Sequence, residues 1–210
     1  MAIRNCRVIA IEGTHCTGKS TLALALTAYY KSHHIHTASF VEPARQSPFL
    51  EEILIHKKGK FDIFTELHLF AAQLTEELIT ARNHELIICD RSLVSVLGYA
   101  RLLLTADPNS FESSMLNAMK SLCQTYSHIY DAVFYLSDMY DLQRTKDPFR
   151  GFIMQEQVFQ REIDLAIKEA YDAVGLKRVE VPTGMSLSDK VQWVVEQVGA
   201  SIVKQTPELK

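Results

Sequence analysis

The sequence predicts an α/β fold in which a parallel β-sheet is covered by helices on both faces. Short apolar runs alternate along the chain with longer segments of helical periodicity, which is the pattern of strands joined by helical crossovers. No repeat with a period of about 20–50 residues is visible, and no Gly/Ser- or Pro-rich linker divides the chain. We therefore expect residues 1–204 to form one domain, followed by a flexible tail at 205–210.

The first half of the chain alternates three predicted strands with helices. In the longest predicted helix, apolar side chains recur every three or four residues from Phe64 to Leu78, as expected for a helix with one face in the core. The third strand is a compact apolar run that delivers Asp90 at its end. In chain order these elements are a strand at 7–12, a helix at 19–32, a strand at 36–41, helices at 47–56 and 61–83, a strand at 86–89 and a helix at 93–105.

The second half continues the same alternation. Asp107 and Pro108 break the preceding helix, and Asn109 or Ser110 can cap the next one. Gly175 suits a C-terminal cap, and Ser186 followed three residues later by Asp189 is typical of a capping box. The predicted elements are a helix to about residue 126, a strand at 132–136, a helix at 154–174, a strand at 177–181 and a helix at 187–203.

The composition argues against several classes of function. The 210 residues include 25 acidic and 22 basic side chains, for a formal net charge of −3, which is not the basic balance of a nucleic-acid-binding protein. No apolar stretch approaches the roughly 18 residues that cross a membrane. The four cysteines lack the spacing of a metal site, as expected for reduced thiols. We therefore expect a cytoplasmic protein that binds neither nucleic acid nor membranes.

The clearest motif lies between the first strand and the first helix. Residues 13–20 read GTHCTGKS and fit G-x-x-x-x-G-K-[ST] at every position. The two glycines let backbone N–H groups turn inward around a phosphate, at the positive end of the following helix. The lysine reaches the β- and γ-phosphates, and the serine offers its hydroxyl to Mg²⁺. The predicted site for a nucleoside triphosphate is therefore Gly13, Thr14, His15, Cys16, Thr17, Gly18, Lys19, Ser20 and Thr21.

Two further strands deliver charged residues at their carboxyl ends. Ligands of open α/β sheets bind outside that edge, where Asp90 could hold magnesium and Arg91 a phosphate. The alternative is that Asp90 or Ser92 only caps the next helix. After the second strand, Glu42 could take the proton of an attacking hydroxyl, and Arg45 could meet an acceptor phosphate. The alternative there is that Glu42 and Arg45 only pair with each other at the surface.

Taken together, these segments resemble the nucleoside and nucleotide kinases, nearest to the thymidylate kinases and deoxynucleoside kinases. The resemblance rests on the P-loop with its preceding Ile11 and Glu12, on the Glu42-Pro43 pair, and on the runs LFAA at 69–72 and IICDRS at 87–92. It implies a three-layer P-loop NTPase sandwich with strand order 2-3-1-4-5. It also implies ATP as donor, and a basic lid over the phosphates. Of the aromatic residues, Phe64, Phe70 or Tyr99 could stack on an acceptor base.

The sequence departs from the thymidylate kinases at two places. Gln73 and Leu74 stand where those enzymes carry an Asp-Arg pair that helps to hold the acceptor nucleotide. The lid, expected around 143–157, lacks a dense arginine pattern and looks closer to the ribosylnicotinamide kinases. Its candidate phosphate-binding residues are Arg144, Lys146, Arg150 and Arg161.

Three functional hypotheses follow. The first is an ATP- and Mg²⁺-dependent kinase for a nucleoside, nucleoside monophosphate or similar small acceptor. The second is an NTP-hydrolysing regulatory switch without an acceptor, although no N-K-x-D guanine-binding motif follows the fourth strand. The third is a pseudo-enzyme, which would be expected to lack Lys19, Ser20 or Asp90. A homodimer packed through the helices at 61–83 and 93–105 would fit the thymidylate kinase resemblance.

Overall fold

The centre of the fold is a five-stranded sheet in which every pairing is parallel. The structure is a computed structural model that describes residues 5–40, 42–56, 60–104, 107–140 and 157–203. The spatial order of the strands is β2-β3-β1-β4-β5, which confirms the predicted order and the predicted fold class. The strands are β1 (Arg7–Glu12), β2 (Thr37–Ser39), β3 (Leu86–Asp90), β4 (Ala132–Leu136) and β5 (Val179–Val181).

Helices cover both faces of the sheet. The predicted helix at 47–56 is only one α-helical turn, α2, which continues as a π-helical turn over Glu51–Ile55. Short 3₁₀ turns occupy Pro43–Gln46 and Ser127–Ile129. The α-helices are α1 (Lys19–Ser32), α2 (Pro48–Leu50), α3 (Ile63–Ala81), α4 (Leu93–Leu103), α5 (Phe111–Tyr126), α6 (Gln157–Val174) and α7 (Leu187–Val203).

Alternate residues of the central strands supply two separate cores. Successive side chains of a strand point to opposite faces. In β1, Val8 and Ala10 pack with α3, α4, α5 and α6, whereas Ile9 and Ile11 pack with α1 and α7. Each of these four residues is at most 1% exposed. The sheet is thus buried on both sides, as continuous apolar strands predict.

The register brings the carboxyl ends of the strands to one edge. Ile11 pairs with Asp90, and Glu12 pairs with Tyr135. The loops after β1, β2, β3 and β4 therefore leave the sheet on the same side. The predicted lid at 143–157, apart from Gln157 at the start of α6, and the predicted tail at 205–210 lie outside the described residues.

Candidate active site

The loop that joins β1 to α1 is tightly wound. Gly13 and Gly18 have φ values of 137° and 87°, in the region that favours glycine. A Cβ atom on Gly13 would lie 2.5 Å from the carbonyl oxygen of Leu136, so no larger residue fits there. Helix α1 begins with no acidic residue in its first turn and no side-chain cap. Its positive end is therefore ready to bind an anion.

Lys19 lies folded over this loop. Its Nζ atom donates a 2.6 Å hydrogen bond to the carbonyl oxygen of Thr14, and the side chain is buried. Burial, helped by the nearby charge of Arg91, lowers the pKa of Lys19 to about 8, although Asp90 and Glu42 oppose the shift. The ammonium group is thus held at the phosphate loop with little solvent around it.

Asp90 ends β3 beside the loop. It is 4% exposed, and its Oδ1 atom has no hydrogen-bond partner among the described residues. Burial raises the pKa of Asp90, with Glu42 adding to the effect, while Lys19, a hydrogen bond with Ser20 and Arg91 act against it. The N-cap of α4 is Ser92, not Asp90. The capping alternative therefore does not explain this carboxylate.

Arg91 connects the loops at this edge. Its backbone has a φ of 80°, a conformation that is costly for a residue with a Cβ. The guanidinium donates from Nε to Glu42, from Nη1 to the carbonyl oxygen of Gly13 at 3.3 Å, and from Nη2 to the hydroxyl of Tyr99 at 3.1 Å. Nη1 also donates to Ser95 Oγ at 3.1 Å. These contacts hold the strained residue in place.

Glu42 pairs mainly with Arg91 rather than with its sequence neighbour Arg45. The distance between Glu42 Oε2 and Arg45 Nε is 3.7 Å, which is longer than the hydrogen bond from Arg91. Burial acts to raise the pKa of Glu42, but the charges of Arg91, Lys19 and Arg45 outweigh it and hold the pKa below its usual value. The carboxylate is therefore ionised at neutral pH.

One cavity of about 500 Å³ contains these groups. Its polar side is formed by the phosphate loop, Asp90 and Arg91. Its other walls are mostly apolar and come from the segment after β2 and from α2, α3 and α4. A volume of this size lies within the range of about 300–1,000 Å³ for small-molecule sites. The apolar wall residues include Phe40, Leu50, Leu54, Phe61, Leu69, Val96 and Leu103.

Most of the residues expected from the sequence meet in this cavity. Phe70 does not, because it packs in the core beneath α3, while Leu69 and Phe61 line the cavity instead. Arg161 is exposed on α6 and does not line the cavity. Arg144, Lys146 and Arg150 lie outside the described residues. The cavity brings together His15, Cys16, Gly18, Lys19, Ser20, Thr21, Glu42, Arg45, Asp90, Arg91 and Tyr99.

The other loop residues stabilise the loop itself. Thr17 Oγ1 donates to the carbonyl oxygen of Thr14 at 3.0 Å, and Gln160 Nε2 of α6 donates to the carbonyl oxygen of His15 at 2.7 Å. Behind the loop, the buried Glu12 accepts hydrogen bonds from the backbone N–H of Gly13 at 3.0 Å and from the hydroxyl of Tyr171 at 2.9 Å. Helix α6, which follows the expected lid, is therefore tied to the phosphate loop.

Sequence reasoning missed Glu12 and Glu66. Glu12 is a strand-end carboxylate like Asp90, so the same argument could have found it. Glu66 lines the cavity on the same side of α3 as Leu69 and Gln73, at spacings of three and four residues along a helix. The available signal was Glu66, an acidic residue that shares one face of the predicted helix with Leu69 and the polar Gln73. Phe70 lies one position beyond Leu69, which turns it toward the sheet.

The described residues contain neither a cluster of metal-binding side chains nor a helix that could span a membrane. No group of three or more His, Cys, Asp or Glu side chains could together hold a metal ion in the described part of the chain. None of the described helices combines the length and the apolar character that crossing a membrane requires.

Comparison with known proteins finds a matching family, sequence relatives and similar solved structures. Residues 8–188 match the family described as AAA domain. The chain is 30% identical over 161 residues to a thymidylate kinase from Campylobacter jejuni, a match that covers 74% of this chain and 71% of that one. The fold superposes on a deoxyadenosine kinase from M. mycoides with a TM-score of 0.66 and 17% identity, over 92% of this chain and 98% of the other.

A third similar structure is the NadR protein in complex with NAD and AMP-PNP, with a TM-score of 0.66 and 16% identity. That match covers 94% of this chain and 51% of NadR. The likeness to these two solved structures concerns the fold. The chain therefore belongs to the AAA-domain family of P-loop proteins, and its relationship to the thymidylate kinases places it with the nucleotide kinases of this fold.

Proposed function

We propose that the protein is an ATP- and Mg²⁺-dependent phosphotransferase that acts on a nucleoside, a nucleoside monophosphate or a similar small acceptor. The observation that supports this best is that one cavity joins Lys19 and Ser20 of the phosphate loop to Glu42, Arg45 and Arg91. A switch that only hydrolyses its nucleotide does not need a cavity that extends from the phosphate loop to further charged side chains. The kinase relatives reported above support the same conclusion.

On the donor side, the triphosphate would lie on the loop and at the start of α1. Lys19 would exchange its hydrogen bond with Thr14 for phosphate oxygens, because an anion offers a buried ammonium group a stronger partner than a carbonyl. The neighbouring phosphates would also raise the pKa of Lys19 above its value of about 8 in the free protein. Thr14, Thr17 and Cys16 shape the loop around the phosphates.

The residues around Asp90 fit a magnesium ion. Asp90 Oδ1 is buried without a partner among the described residues, and the Ser20 side chain lies against the same carboxylate. Mg²⁺ takes oxygen ligands, usually one or two from the protein and the rest from phosphates and water. When bound, the ion would neutralise part of the charge on the phosphates.

On the acceptor side, Glu42 and the two arginines have complementary roles. The ionised Glu42 can accept the proton of an acceptor hydroxyl as that hydroxyl attacks the phosphorus. Arg91 and Arg45 can bind an acceptor phosphate, if the acceptor carries one. Tyr99 packs under the guanidinium of Arg91, 4.9 Å from the ring centre, and fixes its position.

Catalysis would then depend on position and electrostatics, since phosphoryl transfer needs little covalent help from the protein. We propose Arg144 and Arg150 as lid residues that add positive charge near the transferred group. We also propose a cytoplasmic location, since the four cysteines are free and buried. A homodimer through α3 and α4 remains a proposal that sedimentation velocity can test.

The test is transfer of label from ATP with Mg²⁺ to a panel of nucleosides, nucleoside monophosphates and nicotinamide riboside. We expect at least one acceptor to be labelled, and Lys19→Ala to lower the rate by at least about 100-fold, because it removes charge from the transferring group. The matched control is Lys31→Ala, at the exposed end of α1. Slow ATP hydrolysis with no labelled acceptor would contradict the proposal.

A further inference from the structure

Glu66 is a buried carboxyl group that the proposed chemistry does not use. It lies in the first turn of α3 and is 1% exposed. Neither of its side-chain oxygens has a hydrogen-bond partner among the described residues. The helix cap is supplied by Asp62, which accepts from the backbone N–H of Thr65 at 2.8 Å. Glu66 is therefore not needed to begin the helix.

An unpartnered buried carboxyl group destabilises the fold, because it has lost its hydrogen bonds to water and has no protein partner to replace them. Such a group at the wall of a cavity points to a partner that arrives with the ligand. Glu66 lines the cavity together with Phe61, Leu69 and Gln73. Gln73 already donates to Glu77 and to the carbonyl oxygen of Arg91, so Glu66 is the polar group of this wall that remains unsatisfied.

The surroundings of Glu66 favour its neutral form. Burial, with a smaller contribution from the charge of Asp62, raises the pKa of Glu66 to about 8. No cation of the cavity contributes to that shift, and Glu42 already pairs with Arg91 and with Arg45. The other ionisable groups that line the cavity are His15, Cys16, Lys19, Glu42, Arg45, Asp90, Arg91 and Tyr99.

A neutral carboxylic acid presents one donor and one acceptor side by side. That pair is complementary to a neutral group with an adjacent acceptor and donor. The imide edge of thymine and the amino-nitrogen edges of cytosine and adenine have this arrangement. A group with two adjacent donors, or a cation such as a pyridinium ring, requires the ionised carboxylate instead.

We propose that Glu66 recognises the base of the acceptor as a neutral acid, donating one hydrogen bond to the pairing edge of the base and accepting another from it. The proposal rests on the proposed function, because it takes the cavity to be the acceptor site. The apolar neighbours Phe61 and Leu69 exclude water from the two hydrogen bonds. Glu66 is then a specificity residue, and it takes no part in the transfer of the phosphoryl group.

Two substitutions separate the possible roles of Glu66. Glu66→Gln keeps an adjacent donor and acceptor but cannot ionise, whereas Glu66→Leu removes both hydrogen bonds and keeps the volume similar. We expect Glu66→Gln to keep the acceptor KM within about threefold of wild type. We expect Glu66→Leu to raise that KM at least about tenfold, since a missing pair of hydrogen bonds costs that much or more. The kcat of both variants should change by less than about threefold.

The pH dependence gives a second readout. In the wild type, the acceptor KM should be constant below pH 8 and should rise about tenfold per unit well above it, as the acid ionises. The Glu66→Gln variant should lack that rise. Glu76→Gln, on the same helix but away from the cavity, should behave like the wild type. Loss of binding in Glu66→Gln, or tighter binding above pH 8, would show recognition by the carboxylate and overturn the proposal.

A third readout needs no acceptor. The folded protein holds the Glu66 proton up to about pH 8, whereas the unfolded chain releases it near pH 4.3. The free energy of unfolding therefore falls between these pH values in the wild type, and this component is absent in Glu66→Gln. We expect the denaturant midpoint of Glu66→Gln to exceed that of the wild type by more at pH 8 than at pH 5. An equal difference at both pH values would contradict the neutral acid.

The outcomes distinguish this inference from the proposed function. If transfer occurs and both Glu66 variants behave like the wild type, the inference is wrong and the function stands. If no acceptor is phosphorylated, but calorimetry shows nucleoside binding that Glu66→Leu abolishes and Glu66→Gln keeps, the inference stands without the transfer. If calorimetry shows no nucleoside or nucleotide binding to this cavity, both are overturned.

Discussion

At the carboxyl edge of the sheet, the charges of buried side chains are compensated by one another rather than by solvent. Lys19 and Arg91 supply two positive charges, and Glu42 and Asp90 face them with two carboxyl groups. Removing one member of such a buried set leaves its partner uncompensated, which is strongly unfavourable. The strained backbone of Arg91, with a φ of 80°, shows how firmly its contacts fix this arrangement.

The planar guanidinium of Arg91 contacts three neighbouring groups at once, which a lysine could not do. Arg91→Lys keeps the charge but cannot reach Glu42, Gly13 and Tyr99 together, because an ammonium group lacks the planar fork. We expect it to lower kcat/KM for phosphoryl transfer at least about 100-fold, roughly 3 kcal/mol. Steady-state kinetics on the acceptor found by the labelled panel measures this loss.

The matched control for this prediction is Tyr99→Phe, which removes only the hydrogen bond to Nη2. A single hydrogen bond that involves a charged group is worth about 1.5–3 kcal/mol, so we expect a loss of no more than about 100-fold, and a smaller one than for Arg91→Lys. Equal losses in the two variants would show that the planar fork of Arg91 matters no more than its contact with Tyr99.

Sequence patterns located some site residues and missed others for a physical reason. Asp90 and Glu42 were predicted because strands deliver their ends to a common edge. Glu66 belongs to no motif, and its importance comes from burial without a partner, which only the packing of α2, α3 and α4 creates. Phe70 and Leu69 are adjacent in sequence, and the orientation of α3 decides which of them faces the cavity.

Among the elements, the predicted bounds of the interior strands β1 and β4 agree with the structure, and so do those of α1 and α7. The two edge strands were predicted too long. Of the described residues in the range 36–40, the strand takes in Thr37–Ser39, and the range 177–181 shortens to Val179–Val181. An edge strand pairs with a single neighbour, so its ends depend on that neighbour more than on its own apolar residues.

Helices α4 and α6 are in close contact at Gly98. A Cβ atom on Gly98 of α4 would lie 2.9 Å from Ile167 Cα of α6. These backbone atoms cannot move aside, so Gly98→Ala should lower the free energy of unfolding by about 1–3 kcal/mol. It should also slow transfer, because α4 carries Tyr99 and α6 carries Gln160. Chemical denaturation and kinetics check both effects.

Gly199 of α7 is the matched control, since it is also helical but a Cβ atom there would have no neighbour within 4 Å among the described residues. Gly199→Ala should be neutral or should stabilise the protein by up to about 1 kcal/mol, because alanine is the better helix former. If both alanine variants change stability equally, the α4–α6 contact is not tight.

In the molecule as a whole, the two faces of the sheet form the hydrophobic cores, and its carboxyl edge forms the candidate site. These faces are covered by helices, and the carboxyl edge collects the phosphate loop, Asp90, Arg91 and Glu42 around one cavity. The proposed donor and acceptor sites would lie side by side in this cavity, as transfer requires. The strand order could be predicted from the resemblance to nucleotide kinases, whereas the shape of the cavity required the structure.

The most direct test of this account is the stoichiometry of ATP turnover. Phosphorus NMR would follow ATP, ADP, inorganic phosphate and the phosphorylated acceptor together, with Mg²⁺ and the acceptor found by the labelled panel. We predict one phosphorylated acceptor for each ADP formed, and no appreciable ADP formation when the acceptor is left out. Release of inorganic phosphate at the same rate with and without acceptor would contradict a phosphotransferase.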